Sequence, residues 1–196
     1  MKERPILFSA PMVRAILAGT KTQTRRVVKD RHIGQIDTSK LPGPAGWSRP
    51  MPYGKPGYRL WVRETWQSHH NQNGERLDGL DDWKKHPREC FYRADESDPS
   101  TRPMSGRWRP SIHMPRWASR ITLEVTGVRV ERLQEISEAD AIAEGVNVHP
   151  DHHGKPRTSI YSPVQAYRDL WESINGPGSW DLNPWVWVVE FERVQP

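Results

Sequence analysis

Residues 6–28 read ILFSAPMVRAILAGTKTQTRRVV and predict a short strand, a helix and a second strand in quick succession. The apolar residues of the predicted helix, Val13, Ile16 and Leu17, recur at helical spacing and form one buried stripe. The helix is expected to end at Gly19, because glycine tolerates the left-handed conformation that a helix end needs. Rigid local structure therefore surrounds the polar residues that follow.

A dense group of polar side chains comes directly after this glycine: Lys21, Thr24, Arg25 and Arg26. Strand alternation puts Thr24 and Arg26 on one face, while Arg25 shares the other face with Gln23. Lys21 lies at the turn, from which its amine can fold towards Thr24. Threonine and lysine are a weak nucleophile and a weak base unless burial or charge shifts their pKa values, and Arg26 could hold a developing oxyanion. A basic loop before an ordinary β-strand threonine is the alternative interpretation.

Composition predicts one domain with much of its chain in loops. The 196 residues are only 35% hydrophobic but include 10 Trp, 18 Pro and 14 Gly. The net charge of +5 favours polyanionic partners such as nucleic acid, with ordinary solubility as the alternative. The single cysteine, Cys90, excludes an intramolecular disulfide and a cysteine-based zinc site. We expect a cytoplasmic protein without a membrane partner, because the chain lacks a long apolar run and a signal-type segment.

Further strands are expected at residues 58–67, 121–134 and 184–194, which are rich in β-branched and aromatic residues. The second of these is predicted to bend or bulge at Gly127. Short helices are predicted to begin at Ser137 and at Ser162, both of which can cap a helix. This order predicts the α+β class, with a small mixed β-barrel and short flanking helices.

Loops rich in polar residues, glycine and proline interrupt this pattern. We interpret residues 30–55, 68–88 and 146–160 as long loop insertions in one domain that spans residues 1–196. The histidine pairs at 69–70 and 152–153 lie in these polar loops. Adjacent histidines do not readily ligate one metal in a compact site, so no metal is expected.

Two glutamates are candidates for a site. Glu144 ends the helix ISEADAIAE, where the negative end of the helix dipole disfavours its charge, so it needs a cationic partner or lies in solvent. Glu64 shares a strand face with Leu60 and Val62, which predicts a buried or cavity-lining carboxylate. A structural ion pair and a contact to substrate are both open for Glu64.

Tryptophan and arginine alternate in GRWRPSIHMPRWASR at residues 106–120, a pattern that suits base stacking and phosphate contacts. Packing of the loop by its tryptophans is the alternative. The candidate nucleic-acid contacts here and on the strand before it are Arg63, Trp66, Arg107, Trp108, Arg109, Arg116 and Arg120.

Taken together, these segments resemble the ASCH family, whose members have the PUA-like β-barrel fold. The resemblance covers about half of the chain and rests on ILAGTKTQTRR, ITLEVTGVRVERLQEISEADAIAEGV and the terminal WVVEFERV. The stretches KPGYRLWVRETW and HMPRWASRI are similar to the phage and prophage branch of that family. The resemblance implies a PUA-like (ASCH) fold and a protein encoded by a phage or prophage.

Small ASCH members similar to this chain hydrolyse the amide of N4-acetylcytidine. Their pattern G-x-K-T-x-T-x-R implies that Lys21 is the activating lysine, Thr24 the nucleophile and Arg26 the supporting arginine. The acidic member of the triad is then Glu144, while Glu64 is a candidate substrate contact beside Arg26. The resemblance therefore implies an amidohydrolase for N4-acylated cytosine, without a cofactor or metal.

Two other functions remain open. Other ASCH and PUA-like proteins bind RNA, and some are reported as nucleases, so a reader of RNA or modified DNA is the first alternative. The second is a phage accessory protein that kept the fold and lost the chemistry. The expected partners are a modified pyrimidine nucleoside or single-stranded nucleic acid, and the expected state is a monomer.

Overall fold

A computed structural model describes residues 2–29, 52–68, 90–96, 108–146 and 162–194. Five strands form the main sheet: β1 (Glu3–Leu7), β2 (Gln23–Val27), β3 (Arg59–Arg63), β6 (Thr122–Arg132) and β7 (Trp185–Val194). A separate sheet pairs β4 (Trp66–Ser68) with β5 (Cys90–Tyr92). The strand order in the main sheet is β1-β3-β6-β7-β2, and only β1 and β3 are parallel neighbours.

Among the residues that the structure describes, three α-helices accompany the sheet: α1 (Ala10–Leu17), α2 (Glu138–Ala143) and α3 (Pro163–Asn175). The hydroxyl of Ser137 accepts a hydrogen bond from the backbone N–H of Asp140, and Ser162 caps α3 in the same way. Both helix starts were predicted, because capping residues act locally. In the described part of the chain, no helix is long and apolar enough to cross a membrane.

The main sheet curls but does not close through backbone pairing among the described residues. Its edges are β1 and β2, so the structure supports the mixed α+β class, whereas the predicted small β-barrel is not closed by backbone pairing among the described residues. A side chain bridges the two edges instead. The guanidinium of Arg26 on β2 donates to the backbone oxygen of Leu7 at 2.6 Å and lies 5.4 Å from the centroid of the Phe8 ring.

Strand β7 is buried on both of its faces and separates two apolar clusters. Trp187, Val189 and Phe191 pack inside the curl of the sheet, together with residues of α1 and β3. Val186 and Val188 point the other way and pack under α2 and α3. This double burial explains the nearly continuous apolar run at the end of the chain.

The predicted bulge in β6 is confirmed: the register shifts between Val125 and Gly127. A Cβ atom at Gly127 would lie too close to Oε2 of Glu190, so a larger residue here would require the Glu190 side chain to move. The strand expected over 58–67 is instead two strands, because the pairing partner changes. Val62 still bonds to Ile121, whereas Trp66 pairs with Arg109.

Leu17, expected in the buried stripe of α1, is 36% exposed at the helix end, while Val13 and Ile16 are buried. The insertions proposed at 30–55, 68–88 and 146–160, the two histidine pairs and Arg107 lie wholly or almost wholly outside the described residues.

Candidate functional site

Backbone contacts bring the start of β2 to the end of α2. Lys21 and Glu144 form an isolated antiparallel bridge, and the N–H of Thr22 donates to the oxygen of Ala143 at 2.9 Å. Gly145 follows with a φ of +82°, and a Cβ there would lie 2.9 Å from the Cβ of Lys21. Glycine at this position therefore allows α2 to end directly against Lys21.

The Lys21 ammonium is fully enclosed and uses all of its donors. Its Nζ lies 2.8 Å from each of three oxygens: Gln23 O, Glu144 O and Glu144 Oε2. An ammonium has three protons, so each proton has an acceptor. Burial lowers the pKa of Lys21 below its usual 10.5 and outweighs the opposing effect of the Glu144 charge, with Arg26 and Arg25 lowering the pKa further.

Glu144 is held by two cations, which compensate for its position at the negative end of α2. Its Oε2 receives the Lys21 ammonium and its Oε1 lies 3.3 Å from Nη1 of Arg25. The carboxylate is only 3% exposed, so Glu144 is buried and paired rather than solvated. Lys21 and Glu144, which the resemblance implied are members of one triad, are in direct contact.

Arg25 is also part of the site, although the sequence did not predict it there. Its side chain has no exposed surface, and it contacts Glu144, Glu131 and, at 3.4 Å, Asp140. Ion pairs thus join three cations to four carboxylates: Lys21, Arg25 and Arg129 to Glu131, Asp140, Glu144 and Glu190. The predicted alternation of β2 placed Arg25 on the face of the strand opposite to that of Thr24. Nothing in the pattern indicated that both faces would be buried.

Asp140 couples the helix cap to this network. Burial raises the pKa of Asp140, but the hydrogen bond from Ser137 and the charges of Arg25 and Arg129 outweigh it and hold the pKa at about 2. The same carboxylate accepts from Nη2 of Arg129 at 2.9 Å. The helix that supplies Glu144 is therefore anchored at its first turn by the same charges that surround Glu144.

Thr24 lies opposite Val189 in the β2–β7 ladder and is 2% exposed. It lines a cavity of about 70 Å³ together with Arg26, Glu144 and side chains of α1 and α3. The described hydrogen bonds of Lys21 go to Gln23 and Glu144 and not to Thr24. Lys21 and Glu144 are thus in direct contact, and Thr24 shares a cavity with Glu144.

Arg26 also lines this cavity, and it is fixed by its contacts to Leu7 and Phe8. Its Nε is buried and has no hydrogen-bond partner among the described residues. A buried donor without a partner is costly, and an arginine that lines a cavity is suited to bind an oxygen of a ligand there.

A second and larger cavity adjoins the first. It measures about 760 Å³, lies between α1 and α3, and is also lined by Gly145 and Val146. Four residues line both cavities: Met12, Glu144, Leu170 and Ile174. Glu144 therefore faces a small cavity at Thr24 and a groove of ligand size at once.

Glu64 lies in a different network. Its carboxylate is 1% exposed, and Arg120 binds both of its oxygens, at 3.0 and 3.1 Å. Arg120 also binds Asp95 in a bidentate manner, at 2.8 Å to each oxygen. Burial raises the pKa of Glu64, and the hydrogen bond and charge of Arg120 oppose this only in part. The structure does not bring Glu64 to the cavities that Glu144 lines.

The candidate nucleic-acid residues differ in how exposed their side chains are to solvent. Trp66 is 2% exposed in a small cluster with Tyr92 and Met114, so its ring is not available to a base. Arg63 donates to the backbone oxygen of Met114 at 2.9 Å. Arg120 is bound by Glu64 and Asp95, as described above.

The remaining candidates pair with aromatic or acidic neighbours. The guanidinium of Arg109 lies 5.2 Å from the ring centroid of Trp66, and the guanidinium of Arg93 lies 5.5 Å from the ring centroid of Trp108. Arg116 binds Glu3 at 2.8 Å on the surface. Within the described ranges, no group of three or more histidine, cysteine, aspartate or glutamate side chains is arranged to hold a metal ion.

No family model and no curated protein matches this chain. A solved structure that is similar to it is the ASCH domain from Lactobacillus crispatus JV V101, at 11% sequence identity and a TM-score of 0.42. The match covers 98% of this chain and 79% of the other. It is a coarse likeness.

Proposed function

We propose that this protein is an amidohydrolase that removes the acyl group from N4-acylated cytosine nucleosides, with N4-acetylcytidine as the test substrate. The observation that supports this most is the buried pair of Lys21 and Glu144 beside the cavity lined by Thr24 and Arg26. A lysine with a lowered pKa, a hydroxyl and an arginine at the same cavity are the groups that metal-independent acyl transfer needs.

In the first half of the reaction, neutral Lys21 takes the proton of the Thr24 hydroxyl. A neutral amine has two N–H donors and one lone pair, so one of its three present contacts is given up for Thr24. The Thr24 oxygen then bonds to the acyl carbon, and the guanidinium of Arg26 stabilises the oxyanion. Glu144 orients Lys21 throughout.

In the second half, the carbon–nitrogen bond breaks and Lys21 returns its proton to the leaving N4 amine. Cytidine departs and Thr24 carries the acyl group as an ester. Water, deprotonated by Lys21, attacks this ester and releases the carboxylic acid and the free hydroxyl. One water is consumed for each acyl group, and each proton that leaves Thr24 or water passes through Lys21.

The pH dependence of cytidine release tests this proposal. Because the neutral amine is the active form, we expect release from N4-acetylcytidine to rise with pH, with a midpoint below the usual lysine value of 10.5. The Glu144 charge raises the pKa of Lys21, so Glu144→Gln should move this midpoint to lower pH. Chromatography of the products over a range of pH gives both midpoints.

The control is Glu138→Gln, which changes an exposed carboxylate in the first turn of α2 and should leave the midpoint in place. A midpoint that stays fixed or rises in Glu144→Gln would contradict the role of Glu144. No cytidine at any pH would contradict the proposed function itself.

Binding of single-stranded nucleic acid is the second candidate, and a surface feature on β3 supports it. The Trp61 ring has the guanidiniums of Arg63 and Arg116 at 4.9 and 5.9 Å from its centroid. Cationic and aromatic side chains together suit stacking on bases and contact with phosphates. If the protein has this function, it should bind a labelled oligonucleotide with an affinity that falls steeply as the salt concentration rises, while N4-acetylcytidine stays intact.

A further inference from the structure

We infer that the site has two compartments: the cavity at Thr24 holds only the acyl group, and the groove between α1 and α3 holds the cytosine. The size of the acyl group is then limited by Met12, Leu170 and Ile174. This inference rests on the proposed amidohydrolase function and adds to it which acyl groups the enzyme accepts.

The volume of the first cavity is too small for a ring. It is about 70 Å³, whereas an apolar protein cavity that accommodates benzene measures about 150 Å³. A pyrimidine therefore does not fit beside Thr24, but an acetyl group does. Because the reacting carbonyl carbon must touch the Thr24 oxygen, the acyl end of the substrate belongs in this cavity.

The neighbouring groove is large enough for a ring. Its volume of about 760 Å³ falls within the range of about 300–1,000 Å³ that is usual for small-molecule sites. It is lined by polar groups of α1 and α3 as well as by apolar ones, among them Ser9, Arg14 and Ser173. A nucleoside has room here, with its N4 atom pointing to the smaller cavity.

The boundary between the compartments is formed by the residues that line both. Three of these are apolar, Met12, Leu170 and Ile174, and the fourth is Glu144. The amide bond would cross this boundary, with Glu144 and its partner Lys21 next to it. Longer acyl chains then meet the side chains of Met12 and Leu170, which also pack against the two apolar clusters and so cannot retreat freely.

The test is a comparison of N4-acetyl-, N4-butyryl- and N4-benzoylcytidine by kcat/KM. One surplus methylene in an apolar pocket costs about 10- to 200-fold. We expect the wild-type protein to prefer the acetyl over the butyryl substrate by at least about tenfold. Leu170→Ala should reduce this preference by about tenfold, because it enlarges the compartment for the acyl chain.

Leu182→Ala is the matched control: it makes the same change at a leucine that is 78% exposed and should leave the preference unchanged. Met12→Ala enlarges the acyl compartment from the side of α1. It is the variant to test if Leu170→Ala does not fold. Equal rates for all three substrates in the wild type, or an unchanged preference in Leu170→Ala or Met12→Ala, would overturn the inference. Hydrolysis of none of the substrates would overturn the proposed function instead.

Discussion

Thr24→Val is expected to reduce cytidine release from N4-acetylcytidine by at least about 10³-fold, as loss of a nucleophile does in other acyl-transfer enzymes. The change removes one hydroxyl and keeps the branched shape that β2 needs opposite Val189. No other hydroxyl side chain lines the Thr24 cavity in the described part of the chain except the phenol of Tyr167. Burial raises the pKa of that phenol well above 10, which makes it a poor substitute nucleophile.

The control is Thr24→Ser, which keeps the hydroxyl and should retain measurable release. Thr24→Val keeps the volume of the side chain and should unfold in urea close to the wild-type midpoint, whereas Thr24→Ser removes one buried methyl group and should lose about 1 kcal/mol. If Thr24→Val releases cytidine as fast as the wild type, Thr24 is not the nucleophile, and direct attack by water becomes the better mechanism. The rates come from initial velocities at substrate concentrations well below KM.

Arg25→Leu is expected to lower the free energy of unfolding by about 3 kcal/mol, the lower end of the range for removing one partner of a buried ion pair. The guanidinium has no exposed surface and serves three carboxylates. The lower end applies because each carboxylate keeps another cation: Glu144 keeps Lys21, and the other two keep Arg129. Urea unfolding followed by the fluorescence of the 10 tryptophans measures the change.

Arg116→Leu is the matched control, because it removes an arginine that is paired with Glu3 at an exposed position. Exposed pairs contribute about 0.2–1 kcal/mol, so this variant should lose far less stability. Arg25→Lys keeps the charge without the planar fork and should fall between the two. If Arg25→Leu and Arg116→Leu lose the same free energy, the charge network around Glu144 does not stabilise the fold.

The sequence was sufficient where structure is determined locally. The capped starts of α2 and α3, the helix before Gly19 and the bulge at Gly127 all follow from residues within one turn or one ladder step. The resemblance to the ASCH family, rather than the spacing of residues, linked Lys21 with Glu144, and the structure brings these two together although they are 123 positions apart.

What the sequence could not indicate depends on contacts between distant segments. Arg25 became part of the site because α3 covers the outer face of β2, placing the ring of Tyr167 at 5.9 Å from the guanidinium. The ion pair of Glu64 with Arg120 joins two residues that are 56 positions apart in the chain. The division of the site into two cavities follows from the packing of α1 and α3, and no spacing of residues along the chain encodes a volume.

The most direct test of the central claim is the rate of cytidine release by Lys21→Arg. Arginine keeps a positive charge for Glu144 but does not lose its proton in proteins, so it separates the ion pair from the base. We predict that this variant retains cooperative unfolding and loses about 10²- to 10⁴-fold in rate, the usual contribution of general base catalysis. Release within about tenfold of the wild-type rate would mean that Lys21 only pairs with Glu144, and it would contradict the mechanism.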